Sequence, residues 1–194
     1  MVVERRGVHG SMASPASCPM TPDIDRLRNA RDALSDIADG LELELVDDPN
    51  WAEPSDVSYL NEQDRANPDI MANVDAMAAT NRLIAWFARD SEGFVGLWRG
   101  PENKPLLEAP IVRLDSEGQY SIVAKSVGDY LAISADDDSF DDTRERLVAA
   151  GFTVRESPDA IWAAVDTEEA AANQHRHTLY NEGRVKRGLE PITY

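Results

Sequence analysis

The sequence predicts an α+β fold, an antiparallel meander sheet with helices before and after it. Three observations carry that prediction. The tetrapeptide Asp-Ser-Glu-Gly occurs twice, at 90–93 and 115–118, each time between runs rich in β-branched, aromatic and apolar residues. Asp opens a turn through its side chain and Gly supplies the positive φ at its exit, so each copy predicts a hairpin. Apolar residues on both sides of this central region recur at helical rather than alternating spacing. The apolar fraction of 42% and four tryptophans fit a globular interior that needs no disulfide.

The elements follow in order. Residues 1–20 mix Gly, Ser, Pro and Ala without periodicity, which predicts a disordered lead. Thr21 is placed to cap a helix that has Pro22 at its first position and Asp23 and Asp25 in its first turn. Ile24, Leu27, Leu34 and Ile37 continue this helix to Gly40, which is expected to end it in the left-handed conformation. Leu41, Leu43 and Leu45 alternate with Glu42 and Glu44 as in a half-buried strand. Pro49, Pro54 and Pro68 punctuate the connection, with a short helix expected at 55–62 and another at 69–79.

The first hairpin pairs 82–89 with 94–99. Both alternating sets of its first arm are apolar, Leu83, Ala85 and Phe87 against Ile84, Trp86 and Ala88, so that strand is covered on both faces and central. The second hairpin pairs 111–115 with 119–124. Ser126 then caps a short helix through Tyr130 and Leu131. Residues 139–150 read as a helix, 152–155 as a short strand, and 157–183 as a long helical stretch. One α+β domain is expected over 21–187, followed by a polar tail at 188–194.

Charge is the most informative bulk property: 19 basic against 36 acidic residues give −17. Such a chain repels nucleic acid and anionic membranes and attracts basic proteins at long range. Residues 32–64 contain no Lys or Arg, and a second acidic stretch at 129–142 includes Asp136, Asp137, Asp138, Asp141 and Asp142. The C-terminal end runs the other way, with Arg176, Arg184, Lys186 and Arg187. The apolar runs are far too short to span a bilayer. Arg5 and Arg6 are followed by no apolar stretch, and the single cysteine, Cys18, cannot form an internal disulfide. These points predict a cytoplasmic protein.

Each pattern that would announce catalysis or a cofactor fails on a residue. His175 and His177 stand two apart in a helical context, roughly 200° from each other, and cannot share a metal there. Counting twelve from Asp136, Asp137 or Asp138 lands on Leu147, Val148 or Ala149, so no calcium loop is present. Gly93, Gly96 and Gly100 with Lys104 lack the spacing and the strand-to-helix context of a phosphate loop. No Gly-x-Ser-x-Gly elbow occurs, and carboxylates are too abundant for a pair of them to signal acid–base work. The sequence therefore predicts no enzyme, no cofactor and no metal site. The expected contact surface for a basic partner comprises Asp47, Asp48, Asp136, Asp137, Asp138, Asp141 and Asp142, with Trp98 and Arg99 as residue types enriched at hot spots. Nothing in the pattern specifies an oligomeric state.

Four stretches between 83 and 134 occur in a telling order: "WFARDSEG", "FVGLWRG", "APIVRLDSEG" and "QYSIVAKSVGDYLAIS". Together they resemble the central region of the SMI1/KNR4 (SUKH) superfamily, whose members often show such a hairpin, strand and closing short helix. Val127 and Tyr130 stand here where that helix commonly has aromatics. Upstream, Pro54, Val57, Tyr59 and Leu60 approximate the family's leucine-proline motif, and its Asn-Gly turn is missing. The resemblance implies an α+β scaffold for protein binding, frequently a bacterial immunity protein that neutralises a cognate toxin such as a nuclease. The alternatives are an intracellular adaptor or regulatory scaffold on the same fold, and a metal-dependent hydrolase assembled from scattered carboxylates.

Overall fold

The computed structural model describes residues 21–30, 34–46, 54–134 and 140–193. It is α+β. Five strands, β1 (Glu44–Leu45), β2 (Ile84–Arg89), β3 (Gly93–Trp98), β4 (Ile111–Asp115) and β5 (Tyr120–Ala124), form one antiparallel sheet in the order β1-β2-β3-β4-β5. The helices are α1 (Pro22–Asn29), α2 (Ser35–Gly40), α3 (Glu62–Ala66), α4 (Pro68–Asn81), α5 (Val127–Ile133), α6 (Phe140–Ala149), α7 (Pro158–Val165) and α8 (Ala171–Lys186). No helix among the described residues is long and apolar enough to cross a membrane.

The sheet divides the interior into two cores. Val95, Leu97, Ile111 and Ala124 face one side with Ile24, Ile37, Tyr130 and Leu147 from α1, α2, α5 and α6. Val112, Leu114, Tyr120 and Ile122 face the other, with Val165 of α7 and Ala172 of α8. α7 bridges both, since Ile161 belongs to the first core and Val165, four residues on, to the second. Fully burying one such aliphatic side chain contributes about 1.5–3 kcal/mol, so two shared faces explain why helices accumulate on both sides. The edge strand β5 is partly covered, since Ile122 N at its middle donates to Glu169 O at 2.9 Å.

Both Asp-Ser-Glu-Gly copies are hairpin turns. Asp90 Oδ1 accepts the Glu92 and Gly93 amides at 2.9 and 2.8 Å, and Asp115 Oδ1 accepts those of Glu117 and Gln119 at 2.9 and 2.8 Å. Gly93 is required by close approach: a Cβ there would sit 2.0 Å from the Leu114 carbonyl oxygen. The simple alternation expected for the first arm is broken by a bulge between Trp86 and Ala88, which turns both Phe87 and Ala88 into the first core.

Residues 152–155, expected as a strand, pair with no strand, the Arg155 amide donating instead to Asp129 Oδ1 at 2.9 Å, and the helical stretch expected at 157–183 is two helices, α7 and α8, whose intervening turn lets the Glu169 carbonyl reach Ile122. Three further helix boundaries differ from the sequence reading. The N-terminal segment forms two helices, α1 and α2, with residues 31–33 outside the described residues. The helix expected at 55–62 lies later, as α3, because Asn61 and Asp64 build a reciprocal capping box there. The third difference is the end of α2. Leu43 N donates to Ala38 O at 2.9 Å and Glu42 N to Asp39 O at 3.1 Å, a Schellman closure whose left-handed residue is Glu42, with φ 51°, rather than Gly40. Placing the turn two residues later lets both Leu41 and Leu43 enter the core.

The long C-terminal helix docks on the body. α8 crosses α4 where Gly183 meets Ala72, a contact so close that a Cβ on Gly183 would stand 3.3 Å from that of Ala72. Arg184 pairs with Asp69, Arg187 with Asp75 at 2.6 Å, and Tyr180 Oη donates to Asp69 Oδ1 at 2.7 Å. Because a left-handed non-glycine residue costs about 1–2 kcal/mol and glycine gives part of that back in chain entropy, E42G is expected to raise stability by about 0.5–1 kcal/mol. Chemical denaturation of the two proteins measures it.

Candidate protein-binding surface

The site is built on a fixed end of the sheet. Arg113 stands in the middle of β4, facing the first core beneath α5, where a charge is costly unless paired. It donates from Nη2 to Asp90 Oδ2 at 2.9 Å and pairs with Glu92, while Tyr130 Oη of α5 donates to the same Asp90 oxygen at 2.7 Å. With the two turn amides on Oδ1, both oxygens of Asp90 are satisfied, although its side chain is only 1% exposed. Burial is the largest influence and opposes the Arg113 charge, but Asp90, Tyr130 and Glu92 together outweigh it and push the guanidinium pKa up. Burial, then the Asp90 charge, holds the Tyr130 hydroxyl well above its ordinary value, so it remains a donor. The cluster ties the first hairpin turn, β4 and α5 together.

Beside it opens a cleft of about 380 Å³, lined by Glu42, Glu44, Asp90, Glu92 and Asp115 with Arg89 among them. Arg89 is engaged, pairing with Glu44 at 2.7 Å. Glu42 belongs to the cleft and also closes α2, so the acidic lining continues onto α2 through the exposed Asp39 and Asp36. Asp36 grips Arg146 of α6 with both oxygens at 2.6 Å. That hydrogen-bonded pair lowers the Asp36 pKa to about 2. On α6, Asp141, Asp142 and Glu145 are exposed, and Asp142 stands one turn before Arg146. The first-turn position of Asp141 and Asp142 is favoured by the helix dipole.

Acidic residues outnumber the cations on this surface: Arg89, Arg113 and Arg146 pair with Glu44, with Asp90 and Glu92, and with Asp36, while Glu42, Asp39, Asp141, Asp142 and Glu145 stand exposed beside them. Ten of the described arginines and lysines each pair with a carboxylate of the same chain. The basic C-terminal block is part of this: Arg184 and Arg187 hold α8 on α4, and Arg176 is buried, donating to Asn73 Oδ1 at 2.7 Å and Asn173 Oδ1 at 3.2 Å. What remains outside is an acidic ridge running from α6 across α2 into the cleft.

The structure distributes the sequence-derived contact residues unevenly. Asp141 and Asp142 lie on this ridge, whereas Asp47, Asp48, Asp136, Asp137 and Asp138 lie outside the described residues. Trp98, expected at the end of a strand as part core and part surface, is 4% exposed, with its ring 6.0 Å from that of His175. Arg99 is half-buried, and its Nε donates to the Lys104 carbonyl at 3.1 Å. Among the described residues, the large aromatics that do face solvent are Tyr59 and Trp162. Trp162 was legible in principle, because it falls off the Ile161–Val165 stripe that buries α7. Glu42, Asp36, Asp39 and Glu145 were not singled out by sequence, since nothing in a run of acids says which of them share a face.

His175 and His177 take separate partners, Trp98 and Arg176, and both are half-buried. Among the described residues no three His, Cys, Asp or Glu side chains group closely enough to hold a metal ion. No known protein family, curated protein or solved structure matches the chain.

Burial, then the neighbouring Arg176 charge, lowers the His177 pKa below its ordinary 6.5. Neutral imidazole is therefore favoured in the folded state. The stabilisation this gives is complete above the unfolded value and is lost as pH falls through and below 6.5. The thermal midpoint is expected to fall between about pH 7.5 and pH 5.5, and to fall less in H177N. Thermal unfolding of both proteins across that range checks it.

Proposed function

We propose that the chain is a non-catalytic acidic binding protein that docks on and occludes a basic protein partner, in the manner of the immunity proteins its central region resembles. The observation that carries this reading is Glu42. It occupies a left-handed position where glycine is the unstrained choice, and there its carboxylate joins the α2–α6 ridge to the cleft. The left-handed turn seats Leu41 and Leu43 in the core, which any residue tolerating that conformation could do, and a carboxylate kept there in place of glycine supports a role in binding.

The chemistry fits a basic toxin domain, for instance a nuclease that grips phosphate. Carboxylates presented on a rigid sheet end and two helices attract such a surface at long range, speed association, and compete electrostatically with its substrate. The Asp36–Arg146 pair fixes α2 beside α6 and so holds the exposed carboxylates of the two helices in place. The strand, hairpin and short-helix order that supports the SUKH resemblance is the same segment that builds β2 to α5.

Full-length protein used as bait in a lysate of its source is expected to hold a basic protein at low salt and less of it at moderate salt. Against that captured protein, E42G and the triple change D141S, D142S and E145S should each slow association, the triple by about tenfold, and flatten its salt dependence. Retention of no basic protein at low salt contradicts the reading, and unchanged association rates remove the ridge from it.

A further inference from the structure

α8 has a second face, and the C-terminal tail is fastened along it. Gly188, with φ 76°, turns the chain back, its amide donating to Val185 O and that of Leu189 to Arg184 O, both at 3.0 Å. Arg184 Nε donates to Glu190 O at 2.7 Å. The Asn181 carboxamide then clasps Ile192 twice, donating to its carbonyl at 2.8 Å and accepting its amide at 2.7 Å. Helix and tail together frame an open groove of about 560 Å³, lined by Thr178, Asn181, Glu182, Val185, Lys186 and Pro191. Val185 is 57% exposed at its edge and Ile192 also shows apolar surface.

The charges around Val185 decide what covers it. Glu182 lies one turn before it and Lys186 directly after it, an exposed i,i+4 pair at 3.8 Å. If α8 is laid antiparallel on a copy of itself about a two-fold axis, position 182 of each copy faces position 186 of the other. Opposite signs then meet twice, and each Val185 reaches the other's groove. A contact related by a two-fold must be self-complementary, and this stripe is. A strongly basic or acidic partner would find one charge of each sign and no net attraction.

We infer that the chain forms a homodimer through antiparallel α8 helices and their tails. α8 is about 24 Å long, so the contact is smaller than the roughly 800 Å² per partner of a standard interface, and the dimer is weak and reversible. Two copies of charge −17 repel at long range, so this association strengthens from low to moderate salt, the opposite of binding to a basic partner.

Sedimentation equilibrium of the full chain from about 10 to about 500 µM at about 150 mM salt tests it. The average mass is expected to climb from 21.4 kDa toward twice that value, and V185E to stay at 21.4 kDa throughout. K186E places like charges opposite each other and should weaken association about tenfold or more, while E182K combined with K186E restores it. All three side-chain changes lie on exposed positions, and unchanged circular dichroism confirms that the variants fold. A mass of 21.4 kDa at every concentration overturns the inference, and so does association of K186E as tight as that of the parent.

Discussion

A buried charge organises this molecule. Arg113 enters the first core from the centre of the sheet, and its carboxylate partner, Asp90, is also the residue that opens the first hairpin turn. An isolated guanidinium there would cost several kcal/mol. Paired with Asp90, it requires the turn, β4 and the Tyr130 of α5 to occupy one arrangement at once. The register of β3 on β4 follows, since slipping by one residue would carry Arg113 to the other face of the sheet. The seat of α5 follows as well, and α5 in turn packs against α1, α6 and α7. The cleft that carries the acidic lining is the outer side of that same knot.

The second organising constraint is where positive charge goes. A chain with nearly twice as many acids as bases could scatter its cations as local neutralisers. Arg26, Arg28 and Lys186 do so within their own helices, but others are placed at joints between elements: Arg146 between α2 and α6, Arg155 on buried Asp129 of α5, Arg184 and Arg187 between α4 and α8. Surface pairs of this kind add little stability singly, but they specify which helices lie together. The consequence is a surface whose field is set by unpaired carboxylates, concentrated on α6, α2 and the sheet end. A basic C-terminal block in the sequence is thus an internal fastening in the fold.

The fold was legible to the extent that local chemistry dictates it. The paired Asp-Ser-Glu-Gly turns specified two hairpins, and Thr21-Pro22 and Ser126 marked helix starts where caps form. The bulge at Phe87 and the left-handed Glu42 were not legible, because each answers a long-range demand, two adjacent residues needed in one core or two leucines needed on either side of a turn. The surface was legible in sign and not in place. Charge counting gives an acidic protein, but only the Asp36–Arg146 contact, between residues 110 apart, brings α2 beside α6. Trp98 shows the converse: a strand-end tryptophan is read as half exposed until His175 of α8 comes down beside it.

The most direct test of this account is a double-mutant cycle on Asp90 and Arg113, with D90N, R113Q and the double variant unfolded in denaturant. R113Q strands the buried Asp90 carboxylate and is expected to cost about 3 kcal/mol or more, and D90N, which leaves the part-buried Arg113 only Glu92, about 2 kcal/mol or more. The double variant should recover about 2 kcal/mol or more of the summed loss, because the two side chains act as one unit. Costs that add to within about 0.5 kcal/mol would show that the pair is not coupled and that the sheet end is held by something else.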